Sequence, residues 1–314
     1  MDRNDDLTRY GDLYLTIEGG SFRNAVAGGG TFTSSDPIGG FTLRGDVYLT
    51  IRGGTFINEN NKSWIYGGCM AAKKELAAQT KIYGTAAVTI DASENEVEFS
   101  NLVAGSYGTG KIFGGTKLVL TGSNKITAEG DIWGGCGKDY YTIGGASQTF
   151  VKNADGTEDG DRMLSFTGFR GTLDCARIRD FTSAEFIMDT TGDSTVELNK
   201  ACNMSYISNW TFENGCTLSG TEFLNNFTGD TFAFTGSEEG FSGADVLKNV
   251  GASALTGFAY EEDGEVLVSG FSSVTLFGHE AAWNGSDAYV TAIENSTVNY
   301  KLTMNSSGMS VGIA

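Results

Sequence analysis

The chain has 314 residues, of which 45 are glycine and one is proline (Pro37); 40% of it is hydrophobic, with 20 Phe, 12 Tyr and 4 Trp. Scarce proline and the lack of a G-X-Y period exclude collagen, and so much aromatic surface excludes a disordered polymer. With 21 Lys and Arg against 39 Asp and Glu, the net charge of −18 repels phosphate backbones and anionic lipid, so no nucleic-acid partner is expected.

The first six residues, M-D-R-N-D-D, lack the apolar core of a secretion signal, and no apolar run nears the ~18 residues of a membrane span. Membrane insertion is therefore not expected. Residues 11–22 read G-D-L-Y-L-T-I-E-G-G-S-F and residues 45–56 read G-D-V-Y-L-T-I-R-G-G-T-F, an offset of 34. They differ only at Leu13/Val47, Glu18/Arg52 and Ser21/Thr55. Self-similarity at such a period marks a repeat architecture. Apolar residues alternate within each copy, which sends Val47, Leu49 and Ile51 one way and Asp46, Tyr48, Thr50 and Arg52 the other. The Gly-Gly pair that follows supplies a corner.

Val88–Ala92 and Leu118–Gly122 read as further copies, with starts at 13, 47, 88 and 118. A second motif interleaves: Ile38-Gly39-Gly40, Ile65-Tyr66-Gly67-Gly68-Cys69, Ile112-Phe113-Gly114-Gly115-Thr116 and Ile132-Trp133-Gly134-Gly135-Cys136. A unit this short cannot close a core alone, but stacking can. Stacking sets Ile17 on Ile51 and Ile65 on Ile112. It also puts Thr116 between Cys69 and Cys136, which then lie ~9–10 Å apart, beyond disulfide reach.

The fold expected is all-β, a right-handed parallel β-helix (β-solenoid) with a short helical insertion and a less regular C-terminal half. A β-propeller needs four antiparallel strands per blade, and only two or three strands per cycle are readable. The insertion is M-A-A-K-K-E-L-A-A-Q-T-K at 70–81, a run of strong helix formers. Residues 1–150 form the glycine-rich cycles, and 151–314 continue the solenoid or form a β-rich cap. In the second part Leu164–Phe166, Ile178–Phe181, Phe186–Met188, Thr195–Leu198, Tyr206–Phe212, Phe223–Phe227, Thr231–Phe234, Val266–Val268, Val274–Phe277, Tyr289–Ile293 and Val298–Met304 read as strands. Ala244–Val250 reads as a second short helix.

The repeat motifs, together with N-W-T-F-E-N-G-C (209–216) and F-T-G-D-T-F-A-F (227–234), resemble those of bacterial adhesin-like and autotransporter-passenger-like β-helix proteins. The resemblance implies a non-catalytic module outside the cell or on its surface, an adhesin-like face or a structural stalk. Its partner would be a host or environmental glycan or protein surface. The alternatives are a polysaccharide-acting β-helix enzyme, lyase or glycoside hydrolase, and a phage tailspike-like fibre, which would trimerise.

No catalytic residue is assigned. His279 is the sole histidine, the five cysteines have no C-x-x-C spacing, and no resident cofactor is expected. Calcium is the one metal weighed. Asp155, Thr157, Asp159 and Gly160 fit the first half of an EF-type loop, and Asp161 follows, but Phe166 stands where a bidentate Glu is needed. Asp155, Asp159 and Asp161 thus read first as a solvated acidic turn. Glu96 and Glu98 share a face, as do Arg177 and Arg179, which are expected to pair with Asp174 or Asp180. Tyr14 and Tyr48 fill one outward slot a cycle apart. Their rings are expected to stack, and an aromatic ladder is one way to bind flat sugar faces.

Overall fold

The computed structural model describes residues 7–23, 25–32, 40–57, 64–71, 80–106, 110–135, 160–198, 204, 207–220, 229–249, 260–262, 265–267, 270–285, 288–294, 296–305 and 308–314. Every regular element among them is a β-strand.

Alternating residues make strands, glycines turn them, and successive passes of the chain pair in parallel. The first ladder runs Leu13–Ile17, Val47–Ile51, Ala86–Ala92, Thr116–Gly122, Arg162–Thr167, Ser183–Ile187, Asn209–Glu213, Gly229–Thr235 and Phe271–Leu276. The second runs Gly54–Phe56, Val97–Phe99, Ile126–Ala128, Thr172–Asp174, Thr195–Leu198, Thr217–Ser219 and Ala244–Lys248. Val26–Ala27, Trp64–Tyr66, Asn101–Val103, Asp131–Trp133 and Arg177–Arg179 make a third. Leu7–Tyr10, Phe41–Arg44, Thr80–Ile82 and Lys111–Ile112 make a fourth, which precedes the first ladder in its first four passes.

After Leu276 the direction changes. His279–Trp283, Ala288–Thr291, Tyr300–Asn305 and Gly308–Ile313 form an antiparallel meander that starts on Phe271–Leu276. Its last strand pairs antiparallel with Ala244–Lys248. The meander thereby joins the last strands of the first and second ladders and leaves neither as an open edge.

Inward side chains form continuous columns. Val47, Leu49 and Ile51 are fully buried, as are Val88, Ile90, Leu118 and Leu120 above them. Register places Ile17, Ile51, Ile90, Leu120, Phe166, Phe186, Phe212, Phe234 and Leu276 in one column. From Phe166 onward the column is largely aromatic: the rings of Phe166, Phe186 and Phe212 stack at 4.6 and 4.3 Å.

The register departs from the sequence expectation in three places. Leu13, Val47, Ala86 and Thr116 share a row, so Val88 lies on Leu49, two residues from the expected match. A two-residue shift keeps every side chain on its own face, which hides it from the pattern. Ile17 does pair with Ile51, but Ile65 pairs with Val26 and Leu102 while Ile112 pairs with Ile82, in a different ladder. Correspondingly Ser106, not Thr116, meets Cys69: its Oγ accepts the Cys69 N–H at 3.0 Å. Cys136 lies outside the described residues.

Neither expected helix is found among the described residues. Met70–Ala71 and Thr80–Ile82 are strands, and 72–79 lie outside the description. Ala244–Lys248 is a strand because Leu247 pairs with Leu218 on one side and Met309 on the other, and tertiary pairing overrides helix propensity. The expected strand Phe223–Phe227 also falls outside the described residues.

Candidate functional site

The repeat builds an exterior site of its own at the corner between the fourth and first ladders. Asp12 Oδ1 accepts the Asp46 N–H at 2.8 Å, and Asp46 Oδ1 accepts the Thr85 N–H at 2.7 Å, so each aspartate caps the pass above it. The remaining oxygens accept the phenols of Tyr14 (3.3 Å) and Tyr48 (3.0 Å). The Tyr48 phenol is held above its ordinary value by this hydrogen bond and by the charge of Asp46. The two rings stack at 4.9 Å and 12°. Across the corner Tyr83 stacks on Phe113 at 4.9 Å, and the Arg44 guanidinium lies 4.5 Å from the Tyr83 ring centre. Stacked rings turn their faces to one another and offer outward only edges and hydroxyls. Tyr14, 74% exposed against 36% for Tyr48, is the one of the pair with a free face for a planar ligand.

On the third ladder, register sets Arg177 on Asp131 and Arg179 on Trp133. Asp131, itself buried, accepts from Arg177 Nε at 2.9 Å and lies 3.7 Å from Arg179 Nε. The Arg179 guanidinium rests 5.3 Å from the Trp133 ring centre. The expected partners are engaged elsewhere: Asp174 with Lys125 at 2.6 Å, and Asp180 with Arg162 at 3.7 Å. Asp131 has no sequence signal of its own, since its arginine partners stand 46 residues or more away.

His279 Nε2 lies 3.5 Å from Glu238 Oε1, and Glu238 Oε2 accepts the Tyr300 hydroxyl at 2.6 Å. This tie fastens the loop after Gly229–Thr235 to the meander. Burial pushes the Cys69 thiol up to about 12 and the Cys216 thiol up to about 11, which removes the thiolate a nucleophile requires. Of the calcium candidates, Asp155 and Asp159 lie outside the described residues. Asp161 is exposed, and its carbonyl accepts the Thr116 N–H at 2.9 Å. Among the described residues no three His, Cys, Asp or Glu side chains converge as a metal site.

Described residues also line two concavities. Glu96 and Glu98 meet Glu18 in a cleft of about 500 Å³, floored by the stacked Gly19–Gly20 and Gly53–Gly54 corners. The meander carries a groove of about 670 Å³ whose lining includes Ser272, Ser273, Glu280, Trp283 and Tyr289. The Trp283 and Tyr289 rings meet edge to face at 5.1 Å, and the Trp283 indole N–H is buried without an acceptor. The Trp283 ring set beside the Ser272 and Ser273 hydroxyls and the Glu280 carboxylate suits a hydroxyl-rich ligand. Nothing in the sequence marks this groove, because the antiparallel meander brings its walls together. Comparison of the chain with protein-family models, curated proteins and solved structures found no match.

Proposed function

We propose that the chain is a right-handed parallel β-helix serving as a non-catalytic, adhesin-like module of a secreted or cell-surface protein, a stalk that meets a glycan or protein at its capped end. One observation carries this reading: the first ladder keeps its register over nine strands, from Leu13–Ile17 to Phe271–Leu276. At ~4.8 Å per step that is a rod of about 38 Å. The handedness follows from the strong preference of parallel crossovers for the right-handed path. Charged groups join one pass to another, as in Glu18–Arg52, Lys125–Asp174 and Arg177–Asp131, which supports a structural role for them. The groove beside Trp283 is the contact surface assigned to the stalk.

Binding to a panel of neutral and acidic glycans, with product analysis on the same samples, tests the proposal. Saturable binding without cleavage, lost in Trp283→Ala, is the expected result. Shortened products would replace this reading with a polysaccharide-acting enzyme, and a trimer in light scattering would favour the tailspike-like fibre.

A further inference from the structure

Among the described residues the stack is closed at one end only. At the other, Leu13–Ile17 pairs with Val47–Ile51 alone, Leu7–Tyr10 with Phe41–Arg44 alone, and Ser21 bridges to Thr55. Successive residues of a parallel strand direct their amides alternately to either side. The Leu13 N–H donates to Asp46 and the Arg52 N–H to the Ile17 carbonyl. The amides and carbonyls of Tyr14 and Thr16 therefore face away from the stack, where no described strand meets them. Side chains record the same opening: Leu15 is 37% exposed, whereas Leu49 above it is fully buried.

We propose that this edge is a strand-docking site whose ligand is an extended polypeptide segment of the pattern G-D-x-Y-x-T-I, added in parallel as one further layer. The argument is interchangeability. The underside of Val47–Ile51 already receives G-D-L-Y-L-T-I-E, and the underside of Leu13–Ile17 is nearly the same surface: Tyr14, Leu15, Thr16 and Ile17 stand where Tyr48, Leu49, Thr50 and Ile51 stand. Asp12 Oδ1 caps the Asp46 N–H, and the Asp12 N–H occupies the equivalent place for the carboxylate of an incoming aspartate. The open face of Tyr14 takes an incoming ring as Tyr48 takes Tyr14. An inverted second copy fits poorly. A two-fold antiparallel pairing centred on Leu15 sets Asp12 against Glu18 twice, and like charges directly opposite are destabilising.

Amide hydrogen exchange on the intact chain, with and without the dodecapeptide G-D-L-Y-L-T-I-E-G-G-S-F, tests the site. In the free chain Tyr14 and Thr16 exchange fast while Tyr48 and Thr50 are protected. The peptide slows Tyr14 and Thr16 by roughly tenfold or more, and a peptide of the same residues in reversed order does not. Thr16→Pro removes a docking amide but no ladder bond, since edge strands accept proline on the open side. It abolishes the peptide's effect while Thr50 stays protected. Should that variant lose Thr50 protection, Tyr14→Lys, which keeps every backbone bond, serves instead and weakens the effect. Protection of Tyr14 and Thr16 in the free chain, equal slowing by the reversed peptide, no slowing at all, or a dimer formed through this edge would each overturn the proposal.

Discussion

Asp189 illustrates how single side chains set the turns between ladders. Its Oδ1 accepts from the Thr191 hydroxyl at 2.6 Å, the Thr191 N–H at 2.7 Å and the Gly192 N–H at 3.1 Å. The Thr191 hydroxyl above all, then these amides and the charge of Arg170, hold the carboxyl below its ordinary value against the opposing effect of burial. A depressed folded-state value means the carboxylate form stabilises the fold. That contribution is present above the unfolded value near ~3.9 and is lost as pH falls through the folded value. Asp189→Asn is therefore expected to flatten the acid limb of a stability-against-pH curve below about pH 4, leaving its shape above that unchanged. Urea titrations of both proteins across the acid range measure this. Parallel acid limbs would show that the turn does not discriminate between the charged and neutral carboxyl.

Between elements, register decides which side chains meet, and the one charge reversal in the repeat makes sense only there. Glu18 and Arg52 differ because they are stacked: Arg52 Nη1 reaches Glu18 at 2.9 Å, and Arg52 Nε lies 3.5 Å from Asp91 in the next pass. Arg52→Glu sets three acids in a column and is expected to lower stability by about 0.5–1 kcal/mol, as for an exposed pair, and by less in added salt. Adding Glu18→Arg recovers only part of the loss, since Asp91 still faces the new glutamate. A double-mutant cycle in denaturant reads both effects, and full recovery would exclude Asp91 from the column. The same dependence on register explains what the chain's pattern reveals and what it hides. Alternation and Gly-Gly corners identify the strands of both repeat copies and the inward set around Ile17 and Ile51. They are blind to a slip of two, so Val88 is aligned with Val47 when it lies on Leu49. A strand entering a glycine corner looks alike in any ladder, so Ile65 and Ile112 seem equivalent although they belong to different ones. The Asp131–Arg177 contact and the groove at Trp283 are products of pairing distant segments, to which local pattern has no access. The stacking of Tyr14 on Tyr48 is legible because it needs only the period.

At the scale of the molecule, a stack of parallel strands ends in an edge, and an open edge is a template for association. The meander removes that hazard at one end by bending back: Ala244 pairs with Val311, Asp245 with Ser310 and Leu247 with Met309. Val246, Leu247, Met309 and Val311 are all buried there, so the closing strand also covers the end of the core. Deleting Gly308–Ala314 withdraws Met309 and Val311, each worth about 1.5–3 kcal/mol of apolar burial, and frees the edge of Ala244–Lys248. The ladders below are untouched, and their in-register columns hold most of the core. The shortened chain is therefore expected to keep its β-sheet circular dichroism, to melt several degrees lower and to self-associate as concentration rises. Light scattering against concentration separates this from simple unfolding. A truncated chain that stays monodisperse with an unchanged melting temperature would mean that the last strand neither closes the edge nor seals the core.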